Sequence, residues 1–492
     1  GARLVTEREK AFQIAEAGIE YYRWHLAHAP QDFQDGTGVP GPYVHEYKDR
    51  DGQVIGNFTL TITPPAVGST VVTVASTGRT VENPSVSRTI EVRLAIPSLA
   101  RYAFIANSAM RFGYGTEVFG PIHSNEGVRF DGLAHNLVTS SRGDYDDPDH
   151  DGNNEFGVHT HLTNPLTSIV CNNISGFTYC GFVPAEGPPT TPLANRTDVF
   201  QTGRQFPVPA VDFTGFTNDL ADIREETLPA SGVCTPDVPN GKLCFPDSGY
   251  SGYHVVLRPD NPNTFELYRV NTLMSPPSGC NQPVDQQGNP TQPGWGSWSI
   301  NTQTRLRQNL TTGGSYRFPL PANGLIFFED DVWVDGRVNN ARLTIASGKF
   351  PESANTNTSI TVNRDLLYTN YDGQDVVALI GQNNINVGMN SGTTTAGDLR
   401  IDAAVVAKNG RVGRYYYRAP GSGNNRCSPY HTRSTLSLFG MIATNLRYGF
   451  AYTDNTGYVT RNIIYDANLL YGPPPSFPLT SDQYSTISWR ER

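Results

Sequence analysis

The sequence contains no run of 18 consecutive apolar residues, so nothing in its 492 residues has the make-up of a membrane-spanning helix. Charge is scarce as well. Charged side chains make up only 17%, and 37 basic against 46 acidic residues leave a net charge of −9. With no basic tract to meet a phosphate backbone, nucleic acid is excluded as the expected partner. Catalytic signatures are missing too. No G-x-x-x-x-G-K-[ST] phosphate loop occurs, and Gly249-Tyr250-Ser251-Gly252 falls one position short of the G-x-S-x-G elbow. The six cysteines lack C-x-x-C spacing, which argues against a thiolate metal site. Long helical patterns are reduced to one. In their place stand 48 Gly, 36 Pro and 11% aromatic residues, the profile of a turn-rich, mainly β protein of roughly three domains.

The cysteines are Cys171, Cys180, Cys234, Cys244, Cys280 and Cys427. Their even number indicates an oxidising, extracytoplasmic compartment, and six cysteines allow fifteen pairings. Local spacings of nine and ten residues favour Cys171–Cys180 and Cys234–Cys244, and elimination leaves Cys280–Cys427.

Residues 6–28 carry the helical pattern. Phe12, Ala15, Ile19, Tyr22 and Leu26 recur at spacings of 3, 4, 3 and 4 and form one face, the expected assembly face. Pro30 stops the helix, and no capping residue precedes Leu4, so the helix is expected to begin upstream of Gly1. Three alternating segments follow, Asn57–Thr63, Thr70–Ser76 and Ser87–Ala95, and predict an antiparallel meander under the helix. The first domain is thus 1–100. From Arg101 short β-like runs alternate with Gly, Asn and Asp turns over 101–161. The same texture resumes over 323–470, with runs beginning near 325, 341, 359, 376, 399 and 435, mostly 16 to 23 residues apart. That spacing predicts coils of a right-handed parallel β-helix; a hairpin-built sandwich is the competing reading. Residues 162–322 hold five of the cysteines and much of the proline, and are expected to be a disulfide-stapled insertion. Within it, Phe216–Glu226 reads as a short helix and Gly252–Val270 as a hairpin. The stretch 471–492 reads as an extended strap.

Asp147, Asp149, Asp151, Gly152 and Asn153 follow the first positions of a D-x-D-x-D-G calcium loop, in which alternate carboxylates converge on one hard cation. The twelfth-position Glu is replaced by Val158, and a solvated acidic turn is the competing reading. His159-x-His161, with His150 and His135 nearby, offers transition-metal ligands. For a glycosidase, Glu329, Asp330, Asp331, Asp335 and Asp402 are the carboxylates to consider. Adjacent Asp330 and Asp331 point to opposite faces of a strand, so the chain is expected not to be an enzyme. Tyr415-Tyr416-Tyr417 offers either stacking surface or packing.

Ala11, Ala15, Glu16, Ala17 and Gly18, within AFQIAEAGIEYY, resemble the stretch after the membrane-embedded part of PilX-like type IV pilus assembly proteins. Gly120-Pro121-Ile122-His123-Ser124-Asn125, Phe130-Asp131-Gly132 and EDDVWVDG (329–336) resemble pilin-like surface proteins of small-genome uncultivated bacteria that carry a β-helix domain. The resemblance implies a minor-pilin-like module with an upstream membrane helix as the sole membrane link, an extracellular, cell-surface or pilus location, and other pilins as partners. It implies no known activity; the expected role in cell adhesion to a host or target-cell glycan or protein rests on the long, stiff, repeat-built surface, whose broad flat faces suit weak multivalent contact. A surface-anchored carbohydrate-active enzyme and a purely structural envelope component are the alternatives.

Overall fold

The computed structural model describes residues 2–150, 152–163, 171–174, 177–180, 186–188, 193–213, 215–280, 299–310, 313–353, 355–392, 396–452, 454–479 and 483–492. The protein is mainly β, with one long N-terminal helix, and divides into two compact units. The first comprises Gly1–Leu99, Leu470–Pro473 and Phe477–Arg492; the second comprises Ala100–Leu469 and Pro474–Ser476.

In the first unit, helix α1 (Ala2–His28) lies on an antiparallel sheet of β1 (Tyr43–Lys48), β2 (Val54–Thr63), β3 (Val72–Thr80) and β4 (Ser87–Ala95). The predicted meander is present. Two strands join it that the alternation did not reveal, β1 at one edge and Ser485–Glu491 at the other, antiparallel to β4. The expected strap therefore ends in a sheet strand. Alternation on β3, with Val72 and Val74 inward, meets Ile14, Ala15, Ile19, Tyr22 and Leu26 in one core. Each large apolar side chain buried there contributes roughly 1.5–3 kcal/mol. The helix approaches the strands closely because small residues line the seam. A Cβ on Gly78 would lie 2.1 Å from the Ala11 carbonyl oxygen and 2.5 Å from the Ala15 nitrogen, and one on Gly18 would lie 2.2 Å from Ser76 Oγ.

In the second unit most ladder strands pair in parallel, many of them with a strand that is not their neighbour in sequence. One ladder runs through Leu243–Phe245, Leu325–Phe328, Arg342–Ser347, Val376–Gly381, Leu399–Ala407 and Thr432–Thr444. It then passes to Phe104–Ala106, Ile122–Ser124, Val138–Ser140 and Arg204–Gln205, earlier in the chain. The earliest strands of the ladder thus pair with late ones, Ile442–Thr444 with Phe104–Ala106. A second ladder takes in Gly252–Arg258, Val332–Arg337, Ile360–Leu367, Ile385–Val387 and Val412–Gly413. A third runs from Thr432–Thr444 through Gly457–Tyr465 and Thr116–Phe119 to Leu133–Ala134. Inward residues fill one continuous core, with Phe112 stacked on Phe130 at 4.6 Å and Phe245 on Phe328 at 4.8 Å.

The interruption expected over 162–322 is narrower than the composition indicated. Leu243–Phe245 and Gly252–Arg258 already belong to the ladders, and the excursion from them is antiparallel: Gly252–Arg258 with Thr264–Leu273, then Ile300–Arg305. Prolines and cysteines around these strands obscured their parallel partners, which lie some 80 residues onward, as Val255 does from Val334. The predicted short helix is present as Gly215–Thr227. Cys234–Cys244 and Cys280–Cys427 are bonded. The backbone sets Cys171 opposite Cys180, whose side chains lie outside the described residues.

Gly78→Val is expected to destabilise the first unit by about 3 kcal/mol or more, read as a lower urea midpoint, because the obstructing atoms are helix backbone. Cys280–Cys427 closes a separation of 147 residues. Its replacement by two alanines is expected to cost the second unit on the order of 4 kcal/mol in the same measurement.

Candidate functional site

The helix stripe named as an assembly face is turned inward. Ala15, Tyr22 and Leu26 are fully buried, Ile19 nearly so, and Phe12 packs edge-on to Trp489 at 6.1 Å. The correction is physical: the sheet of the same module already covers this face, so it is not free for a partner. What α1 leaves open is its flank. A groove of about 450 Å³ lies between Gln13, Glu16, Glu20 and Arg23 on the helix and Val92, Thr486 and Trp489 on the outer strands. Leu4, Val5 and Trp24 are also exposed.

The second unit carries an apolar row on its third ladder, with Phe119 and Ile464 exposed and Phe439 half-buried against Tyr368 and Tyr371. In register, Phe439 lies beside Ile464, and Ile464 beside Phe119. His135 stacks on Phe119 at 3.9 Å. A shallow groove of about 270 Å³ opens along this row, flanked by Glu117, Arg400 and Asn462. No motif pointed to it, since its members come from separate runs; the signal is an exposed or half-buried apolar residue in each of three strands.

The acidic stretch 144–155 forms a hairpin, Asp144–Asp146 against Asn154–Phe156. It folds over a short parallel sheet in which Arg111, Arg129 and His159 sit side by side in register. Phe112, Phe130 and Val158 of the same strands point into the core. Asp147 lies 3.6 Å from Arg129 and 3.5 Å from His159, while Asp149 pairs with Arg447 and, at 3.4 Å, with Arg111. Burial pushes both carboxyls up, but the adjoining His159 imidazole and the charge of Arg129 hold Asp147 well below the usual carboxylate range, and Arg447 and Arg111 hold Asp149 low. Asn153 is exposed, and Asp151 lies outside the described residues. The spacing that suggested a calcium cage thus brings Asp147 and Asp149 to guanidinium groups on stacked strands. His161 follows on the same segment, its backbone N–H donating to fully buried Asp131 at 2.9 Å. His150 lies 2.9 Å from Glu155, and His135 is remote, bonded to Gln201 and Glu117.

The carboxylates considered for hydrolysis are engaged one by one. Asp330 accepts from the backbone N–H and hydroxyl of Ser248, and Asp331 from the Ser359 N–H at 2.7 Å, tying one coil to its neighbours on either side. Asp335 holds His254 and Asn363, Glu329 pairs with Arg224, and Asp402 accepts from the Tyr368 N–H and the Tyr371 hydroxyl. Tyr417 is buried, Tyr415 packs against Arg411, and Tyr416 bonds Asp454.

No family model matches the chain, and comparison with characterised proteins finds no match. Among solved structures, the competence-associated pilin ComZ from Thermus thermophilus aligns over 99% of this chain and 98% of that one, at 14% identity and a TM-score of 0.28. A score of that size assigns no fold. No described helix is long and apolar enough to cross a membrane. The two disulfides mark a chain that folds in an oxidising compartment, as secreted proteins do.

Burial, with Asp330 beside it, raises the Asp331 carboxyl to about 7. An unfolded aspartate titrates near ~4. The folded protein therefore binds the extra proton between those values, and stability falls as pH rises through that window. Asp331→Asn, which retains an acceptor for Ser359, is expected to raise the thermal midpoint at pH 8, by about 1–3 kcal/mol of stability, and to leave it nearly unchanged at pH 4.

Proposed function

We propose that the chain is a minor-pilin-like, non-enzymatic surface protein, its first unit serving filament assembly and its second unit adhesion. The observation that carries the reading is the seam of α1. The residues that resemble PilX-like pilus assembly proteins, Ala11, Ala15 and Gly18, are the small residues that let the helix sit against Gly78 and Ser76. The resemblance therefore falls on positions with a packing reason. We read the three parallel ladders as coils of a parallel β-helix, a stiff scaffold that carries the row Phe439, Ile464 and Phe119 at its surface. Weak contacts repeated along a filament gain by multivalency, so such a surface needs no deep cavity. The row favours contact with a glycan or protein over a purely structural role. The engagement of Asp330, Asp331, Asp335 and Asp402 in ties between and within coils favours a binder over a hydrolase. Assembly partners of the first unit would be other pilins, meeting the flank of α1 beside Trp489.

Mass spectrometry of a sheared surface-filament fraction tests the reading. The expected result is this protein within filaments, with a mature N-terminus some 25–30 residues upstream of Gly1 in a hydrophobic segment of membrane-spanning length. Its absence from filaments overturns the assembly role. Phe119→Ser combined with Phe439→Ser is expected to lower cell or glycan binding at least tenfold while leaving filament incorporation intact.

A further inference from the structure

The cluster where the acidic hairpin meets the short parallel sheet holds three potential ligand atoms without a hydrogen-bond partner, beside the Tyr145 hydroxyl, which also lacks one. Asp147 Oδ2, His159 Nε2 and His161 Nε2 are buried without a hydrogen-bond partner, and their residues are 2%, 0% and 1% exposed. One donor atom from each residue lies within 4.8 Å of those of the other two. Buried polar atoms in folded proteins are almost always paired, so three together call for a common partner.

The tautomer narrows what that partner is. His159 Nδ1 faces the Phe156 carbonyl oxygen at 3.2 Å, an acceptor, and so carries the ring proton. In the neutral ring Nε2 is then a lone pair aimed at Asp147 Oδ2, itself an acceptor, across 3.5 Å. Two acceptors at that separation require a positive species between them. A second proton on His159 would serve that pair but leave His161 Nε2 orphaned; a metal ion serves all three. An imidazole whose other nitrogen donates to a backbone carbonyl is the usual outer-shell arrangement of a metal-bound histidine. The 3.5 Å gap is close to the roughly 3.3–3.4 Å separating two ligands of a tetrahedral ion at 2.0–2.1 Å. His161 closes from within 4.8 Å by side-chain rotation.

We propose that Asp147, His159 and His161 form a site for a divalent transition-metal ion of the zinc class, which locks the acidic hairpin onto the sheet. Two imidazoles and one carboxylate select such an ion over calcium, which takes six or more oxygens. Arg129, Arg111 and Arg447 face the cluster, but Asp131, Asp147, Asp149 and Glu155 outnumber them, and Asp131 engages Arg129 directly at 2.7 Å. The site shares no residue with the apolar row or the α1 groove and does not depend on the pilin reading.

The test is titration of the chelator-stripped full chain with Co²⁺, followed by displacement with Zn²⁺. One equivalent is expected to give the intense visible bands of tetrahedral cobalt, to be displaced by zinc, and to raise the thermal midpoint of unfolding. Asp147→Asn and His161→Ala are expected to weaken binding at least a hundredfold, while His135→Ala, outside the cluster, binds as the wild type does. Wild-type protein that takes up no stoichiometric cobalt or zinc overturns the site even if a variant fails to fold. So does equal binding by wild type and His161→Ala, or binding of calcium alone.

Discussion

The second unit depends on the parallel joint between its late and early strands, Ile442–Thr444 against Phe104–Ala106 and Arg461–Ile464 against Thr116–Phe119. A strand in such a ladder cannot satisfy its backbone without a neighbour at its side. The described strands between residues 104 and 205 have no strand of the same ladder ahead of them in the chain. They find their neighbour in a strand more than 300 residues onward, and every strand paired beyond it, through His123 and Thr139 to Gln205, inherits its register from that joint. The apolar interior follows suit, since Phe104 meets both Phe112 and Tyr448 and so seals the two halves into a single core.

Much of this was readable where physics is local. Alternation marked the meander, 3.6-residue periodicity marked α1, and runs recurring over 16 to 23 residues marked the strands that form ladders. What the residues could not announce was pairing order. Nothing in Phe104-Ile105-Ala106 names Ile442 as its neighbour, because parallel backbone pairing is indifferent to side-chain identity so long as inward positions are apolar. The strand Ser485–Glu491 was illegible for a related reason. It is exposed along nearly its whole length, so it shows no alternation, and only the open edge of β4 recruits it.

The same limit applies to the sites. An apolar stripe on a helix declares that the face is covered, not by what, and Ala15, Ile19, Tyr22 and Leu26 are covered by their own sheet. The D-x-D-x-D-G spacing was legible as a place where negative charge concentrates. Its counter-charges were not, because Arg111, Arg129 and Arg447 are spread along the sequence and meet only when strands stack. Register turns a scattered set of basic residues into a row, and the acidic hairpin then has a surface to close upon.

The strand Ser485–Glu491 has one further consequence, for biogenesis. It lies against β4, whose residues 87–95 emerge from the ribosome about 400 residues earlier. Until residues 485–491 arrive, the edge of β4 stays bare, an open row of backbone donors and acceptors that invites pairing with other nascent copies. A chain cut anywhere between β4 and residue 485 therefore carries an unfinished sheet in its first unit, one exposed edge by which proteases and chaperones tell it from a chain whose sheet is closed.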